Sequence, residues 1–324
     1  MLNGTPPVVP PELRPRPERL RFAIAPLLDA VVHLRAQVPP QAYTAAVLGT
    51  EREGSGVVVG EDGVVLTMGY LVVEAQEIWL SGPEGEPVAG QLLGYDHETG
   101  FAVVRALGDL QAAPVEWGQA HRLRVGAPLV VAAAGGLLSA VQARLLAREE
   151  FAGYWEYLLE EALITTPAHP FWGGAACFDQ DGLLVGLAAL LLESPEESPA
   201  DRRNMVVPID LLQPVFDDLV HRGRARRPPR PWLGLYLRES DRGLVVAGVM
   251  EGAPAQRAGV APGDILFEIA GIPVADLADA YRTLWSLGPA GAVVPVGLLR
   301  RGRRRRLRIR SDDRYRYIRR AEPH

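Results

Sequence analysis

The 324-residue chain contains no lysine: all 34 of its basic residues are arginine. Arginine-favouring codon usage accounts for such a bias, yet its chemical consequence stands. Without lysine there is no Ser-Lys dyad, no Schiff base and no lysine of a phosphate-binding loop. A single cysteine, Cys177, excludes an internal disulfide and a cysteine-based zinc site. The first twenty residues, MLNGTPPVVPPELRPRPERL, have neither the apolar run of a signal peptide nor a membrane span. They lead to the expectation of a cytoplasmic protein, or a periplasmic one if the natural N-terminus lies further upstream. A formal charge of -5 argues against a nucleic-acid binder at the level of the whole chain.

What is present is an ordinary globular composition, 48% hydrophobic and 23% charged, in a chain long enough for two or three domains. Residues 1–20, rich in proline and interrupted by Arg and Glu, predict an extended, poorly ordered arm. From Ala30 short apolar runs recur between turn residues. Val57 to Val59 and Val64 to Thr67 flank Glu61-Asp62-Gly63, a hairpin signature. Further runs at 78–80, 88–94, 101–106, 128–133 and 139–146 come without intervening helices, which favours an all-β barrel or sandwich.

One segment breaks the pattern. From Phe151 the apolar residues Tyr154, Trp155, Leu158, Leu159 and Ala162 fall at helical spacing, with Glu150, Glu156, Glu160 and Glu161 between them. The spacing predicts an amphipathic surface helix, its C-terminal part extending as a strand. The alternative is an aromatic surface that binds a partner or caps a pocket. A second helix is expected from Pro208-Ile209-Asp210, with Leu211, Leu212, Val215, Phe216 and Leu219 on its apolar face, ending at His221-Arg222-Gly223. Residues 221–230 then form a stiff basic linker.

The stretch Thr165 to Leu187, TTPAHPFWGGAACFDQDGLLVGL, organises the remainder. It resembles the nucleophile loop of trypsin-like proteases of the high-temperature-requirement (HtrA/Deg) family, where the loop reads roughly N-P-G-N-S-G-G-P-L. His169-Pro170-Phe171-Trp172-Gly173-Gly174-Ala175-Ala176-Cys177 occupies that frame, and Gly173 stands at the serine position. The resemblance extends from about residue 28 to 310. It implies a mainly β fold: a trypsin-like double six-stranded β-barrel over 21–220, then a PDZ domain over 231–310 and a basic tail over 311–324. The PDZ half rests on Trp232-Leu233-Gly234-Leu235, Gly243 to Met250, Ala253 to Val260, Pro262 to Leu266 and Ala270 to Val274.

A protease of this class needs a hydroxyl, an imidazole base, an acid that orients it and two N–H donors for the oxyanion. In the family's histidine frame this chain has Tyr70 or Leu71, and in its acid frame Gly100. Asp96 and His97 lie just upstream of Gly100, in a turn. Phe171 replaces a glycine whose conformation aims a donor at the oxyanion. Cys177 falls within a core strand with no histidine beside it in sequence, and Ser55 and Ser139 read as structural. The resemblance therefore implies a pseudoprotease.

In the PDZ half, the resemblance assigns carboxylate capture to the N–H groups of Leu233, Gly234 and Leu235. Tyr236 and Leu237 continue the peptide-pairing strand, and Tyr281 and Leu284 on a helix within 274–287 line the pocket, with Trp285 closing the core. Partners are expected to be protein C-termini or extended peptides, with homo-oligomerisation open and no cofactor or metal implied. Two other readings compete: an HtrA-type endopeptidase with replacement catalytic residues, and a polyanion binder built on the run Arg300 to Arg310. Alternation in that run puts Leu307 and Ile309 inward and arginines outward, which also fits a charged sheet edge that resists aggregation.

Overall fold

A computed structural model describes residues 8–83, 86–193, 198 and 201–318. The described residues form two compact units: 8–149 with 161–226, and 150–160 with 227–318.

The first unit is built from two closed barrels. Strands β1 (Val31–Gln37), β2 (Glu51–Gly60), β3 (Val64–Met68), β4 (Glu77–Ser81), β5 (Val88–Tyr95) and β6 (Phe101–Ala106) close in the order β1-β2-β3-β6-β5-β4. Strands β7 (Pro128–Ala132), β8 (Ala140–Gly153), β9 (Tyr157–Thr166), β10 (Ala176–Phe178), β11 (Leu184–Leu192) and β12 (Arg203–Pro208) close in the order β10-β11-β12-β9-β8-β7. Closure removes the free edges that short strands otherwise expose. The expected hairpin at 57–67 is β2 and β3, with Val57 opposite Leu66. Every residue of β3 is buried, as befits a strand covered on both faces.

Three sequence expectations before residue 227 are corrected. The segment from Phe151 is the end of the β8–β9 hairpin, not a helix. The arm is anchored at Val9 and Pro15, which are buried, while Arg16 to Arg19 are exposed. The Val9 side chain is fully buried in the second barrel's core, its N–H donates to Leu138 O at 2.7 Å, and Arg14 Nε donates to Val9 O at 2.7 Å. Residues 1–7 lie outside the described residues. The helix expected from Pro208 begins as a 3-10 turn over Ile209–Leu211 and becomes α-helical only over Phe216–Arg222, where Gly223 caps it at φ 79°.

The second unit carries β13 (Leu235–Ser240), β14 (Gly243–Val249), β15 (Ile265–Ile269), β16 (Ile272–Pro273), β17 (Val293–Arg300) and β18 (Arg303–Arg310). The sheet runs β13-β14-β15-β17-β18, with β16 paired to β15. Its longer helix spans Leu277–Ser286, and Asp276 caps it by accepting from Asp279 N. Trp285 is half-buried against the core and stacks on Tyr281 with ring centroids 5.6 Å apart. In β18, Ile309 is buried and Leu307 half-buried, whereas Arg303, Arg304, Arg305, Arg306, Arg308 and Arg310 are exposed. The arginine run is therefore an edge strand. The expected tail is corrected for residues 311–318, which complete the unit. Asp312 pairs with Trp232 across a β-bridge, and the Tyr317 ring lies 4.8 Å from that of Trp232. Residues 319–324 lie outside the described residues.

Candidate functional site

In the first unit, tight chain approaches bring together the positions that the resemblance assigned to the triad. Gly69–Val72 is a single helical turn after β3, and Gly69 N–H donates to Gly100 O at 2.7 Å. The loop before β10 is held against β2, since Ser55 N–H donates to Gly173 O at 2.8 Å. A Cβ on Gly173 would lie 3.3 Å from Tyr70 Oη and 3.8 Å from Leu71 Cδ2, its two nearest side-chain neighbours. Both residues of the histidine frame thus face the nucleophile position. The Tyr70 hydroxyl donates to Ala189 O at 3.1 Å, and burial drives its pKa upward.

The oxyanion side is equally engaged. Phe171 N–H donates to His169 Nδ1 at 3.0 Å, and His169 Nε2–H donates to Ser139 O at 2.9 Å. This pairing fixes the neutral tautomer. Asn204, fully buried, grips the His169 backbone from both sides: His169 N–H donates to its Oδ1 at 2.6 Å, and its Nδ2 donates to His169 O at 3.2 Å. Sequence reasoning placed His169 in the loop frame but missed this role, and missed Asn204 altogether. Asp96, upstream of Gly100, accepts from Thr99 N–H at 3.1 Å within its own turn. Cys177 is fully buried, and burial pushes its thiol up to about 12. Ser55 Oγ accepts from Ala134 N–H at 3.0 Å.

Burial lowers His169 from 6.5 to about 4, against smaller opposing effects of its two backbone bonds. The unfolded chain therefore binds the extra proton first as pH falls below 6.5. Stability from the neutral ring is present above that value and is lost towards about 4. The full contribution is about 3 kcal/mol at most. Urea unfolding across this range should show stability falling with pH in the native protein, and a shallower fall in His169→Gln.

In the second unit the three N–H groups assigned to carboxylate capture converge on one side chain, which is not a peptide. Leu233, Gly234 and Leu235 direct their N–H groups at the carboxylate of Glu156, at 3.1, 2.7 and 2.9 Å. Gly234 sits at φ 78°, and a Cβ there would lie 2.3 Å from Ala253 Cβ, so the turn requires glycine. Leu237 N–H donates to Tyr154 O at 3.0 Å, and the Tyr236 ring lies 5.9 Å from that of Tyr154. Tyr281 Oη donates to Gly153 O at 2.7 Å, while Leu284 is buried in the core. Burial pushes the Glu156 carboxyl from 4.5 up to about 7, while the three N–H groups and Arg314 pull it the other way. Tyr281 and Tyr236 also face it. The stability this group contributes is therefore greatest below 4.5 and falls as pH rises through about 7.

Residues 54–187 match the model of a trypsin-like peptidase domain, and residues 245–300 that of a PDZ domain. A probable periplasmic DegP-like serine endoprotease of Pseudomonas putida (strain W619) is 24% identical over 277 residues, covering 79% of this chain and 55% of that protein. The putative protease Do-like 14 of Arabidopsis thaliana is 26% identical over 292 residues, covering 79% and 64%. The chain spans little more than half the length of the DegP-like relatives it matches. Among solved structures, the HtrA-type protease AlgW with decapeptide superposes with a TM-score of 0.53 at 21% identity, over 91% of this chain and 97% of that one. A serine endoprotease from Yersinia pestis gives 0.51 at 22% identity, over 89% and 96%. A trypsin-like peptidase domain followed by a PDZ domain, with these relatives, makes the chain similar to proteases of the HtrA/Deg type.

Proposed function

We propose that this chain is a non-catalytic scaffold that binds protein segments through its PDZ domain. The carrying observation is the surroundings of Gly173: no hydroxyl of its own, with the phenol of half-buried Tyr70 and a leucine methyl as its nearest side-chain neighbours. Nucleophilic catalysis needs a hydroxyl or thiol beside a base that can take its proton. Phe171 supports the same reading, because its N–H is spent on His169. The binding half of the proposal draws on the converging N–H groups of Leu233 to Leu235 and on the decapeptide held by the related AlgW structure.

Turnover of casein and of peptide esters by the purified protein tests the catalytic half. We expect rates equal to those of buffer. Turnover that survives repurification, and is lost in Cys177→Ser, would mean that the buried thiol acts as a nucleophile.

A further inference from the structure

β8 ends at Gly153 and β9 begins at Tyr157, so Tyr154, Trp155 and Glu156 form a three-residue hairpin loop within the second unit. The last residue of such a loop ordinarily lies in the left-handed region, where glycine is favoured. Here that residue is Glu156, at φ 58°. Backbone preference alone does not select glutamate at this position; its side chain supplies the compensation. The carboxylate accepts three backbone N–H groups, from Leu233, Gly234 and Leu235.

The rest of the tip imitates a bound peptide. Tyr154 O takes the Leu237 N–H on β13, an edge strand of the sheet. Tyr281 on the helix reads the turn from the other side, donating to Gly153 O at 2.7 Å and accepting from Glu156 N–H at 3.2 Å. Leu158 is buried in the unit's core. Arg282 pairs with Glu150 and Glu160, one on each strand of the hairpin, and Arg314 Nη1 donates to Trp155 O at 3.3 Å.

We infer that the Glu156 carboxylate is a built-in ligand of the PDZ domain, and that a peptide with a free C-terminal carboxylate enters this site only by displacing the hairpin tip. The inference rests on the peptide-binding reading proposed above. A glutamate side chain and a peptide terminus present the same planar pair of oxygens, and three converging N–H groups serve one such pair at a time. A ligand tethered in the same chain competes at an effective concentration of about millimolar, so it masks an otherwise competent site.

The test uses the full-length protein, with Glu156→Ala and Glu156→Gln beside it. The probes are fluorescein-labelled decapeptide pools ending in Val, Leu or Phe, either with a free carboxylate or amidated. Fluorescence polarisation should show Glu156→Ala binding the free-carboxylate pool about tenfold or more tightly than the native protein, with no such gain for the amidated pool. Hydrogen exchange at Leu233 to Leu235, without peptide, should quicken about tenfold or more in Glu156→Ala. Glu156→Gln, which keeps an oxygen acceptor in the turn, should fall between the two, and thermal melts of both variants verify folding. Equal affinity of native protein and Glu156→Ala overturns the inference and leaves the peptide-binding reading standing. No binding by any of the three proteins overturns both.

Discussion

A Gly173→Ser variant is expected to release no acylation burst from an active ester and to digest casein no faster than the unaltered protein. The new Cβ would stand 3.3 Å from Tyr70 Oη, so the added hydroxyl meets a phenol rather than an imidazole. That phenol already donates its proton to Ala189 O, and burial favours its neutral form. It has no tendency to accept a second proton at neutral pH. On the acceptor side, Phe171 N–H remains bonded to His169 Nδ1, away from any oxyanion. Loss of a single triad function costs about ten-thousandfold in rate, and Gly173→Ser returns one function of three. A burst amplitude approaching one equivalent would show that a base lies within reach of Gly173.

Gly174→Ala is expected to cost about 3 to 5 kcal/mol of stability, the range reached by backbone strain combined with a steric clash. Gly174 has φ 76°, and a Cβ there would lie 2.0 Å from Ser55 O. The Ser55 carbonyl cannot retreat cheaply, because it accepts from Thr67 Oγ1 at 2.8 Å while the same residue's N–H holds Gly173 O at 2.8 Å. Gly126→Ala supplies the comparison. Its φ is 89° with nothing within 4 Å of the added Cβ, so it reports the left-handed conformation alone, about 1 to 2 kcal/mol. Urea unfolding of both variants measures the difference; equal losses would mean that the loop yields without cost. The loop thus keeps its geometry for structural reasons, as the brace between β2 and β10.

The short strands and tight turns were legible because their information is local, whereas the two six-stranded barrels were expected from the family resemblance. Asp62-Gly63 between apolar runs specifies a hairpin, and the Leu233-Gly234-Leu235 turn needs only its own glycine at φ 78°. The β8–β9 hairpin was not legible, for two physical reasons. Its apolar residues at 151, 154, 155, 158, 159 and 162 satisfy a helical period, although in the structure they belong to a hairpin. Its turn also carries glutamate where glycine would have announced the left-handed residue. What stabilises that turn lies 77 residues away at Leu233, beyond any local pattern. Val9 failed similarly: proline-rich composition signals an extended chain but says nothing about docking, which depends on the second barrel's core. In the candidate site, Tyr70, Leu71, Gly100 and Gly173 could be located from their frames, whereas the bonds joining Asn204, His169 and Phe171 could not.

The central claim is the absence of an activated nucleophile, and covalent labelling tests it most directly. Intact-mass spectrometry after incubation with excess fluorophosphonate, with an active HtrA-type protease as positive control, needs no assumption about substrate. The account predicts an unchanged mass for this protein beside full conversion of the control. A stoichiometric adduct on any serine of the folded chain would contradict it.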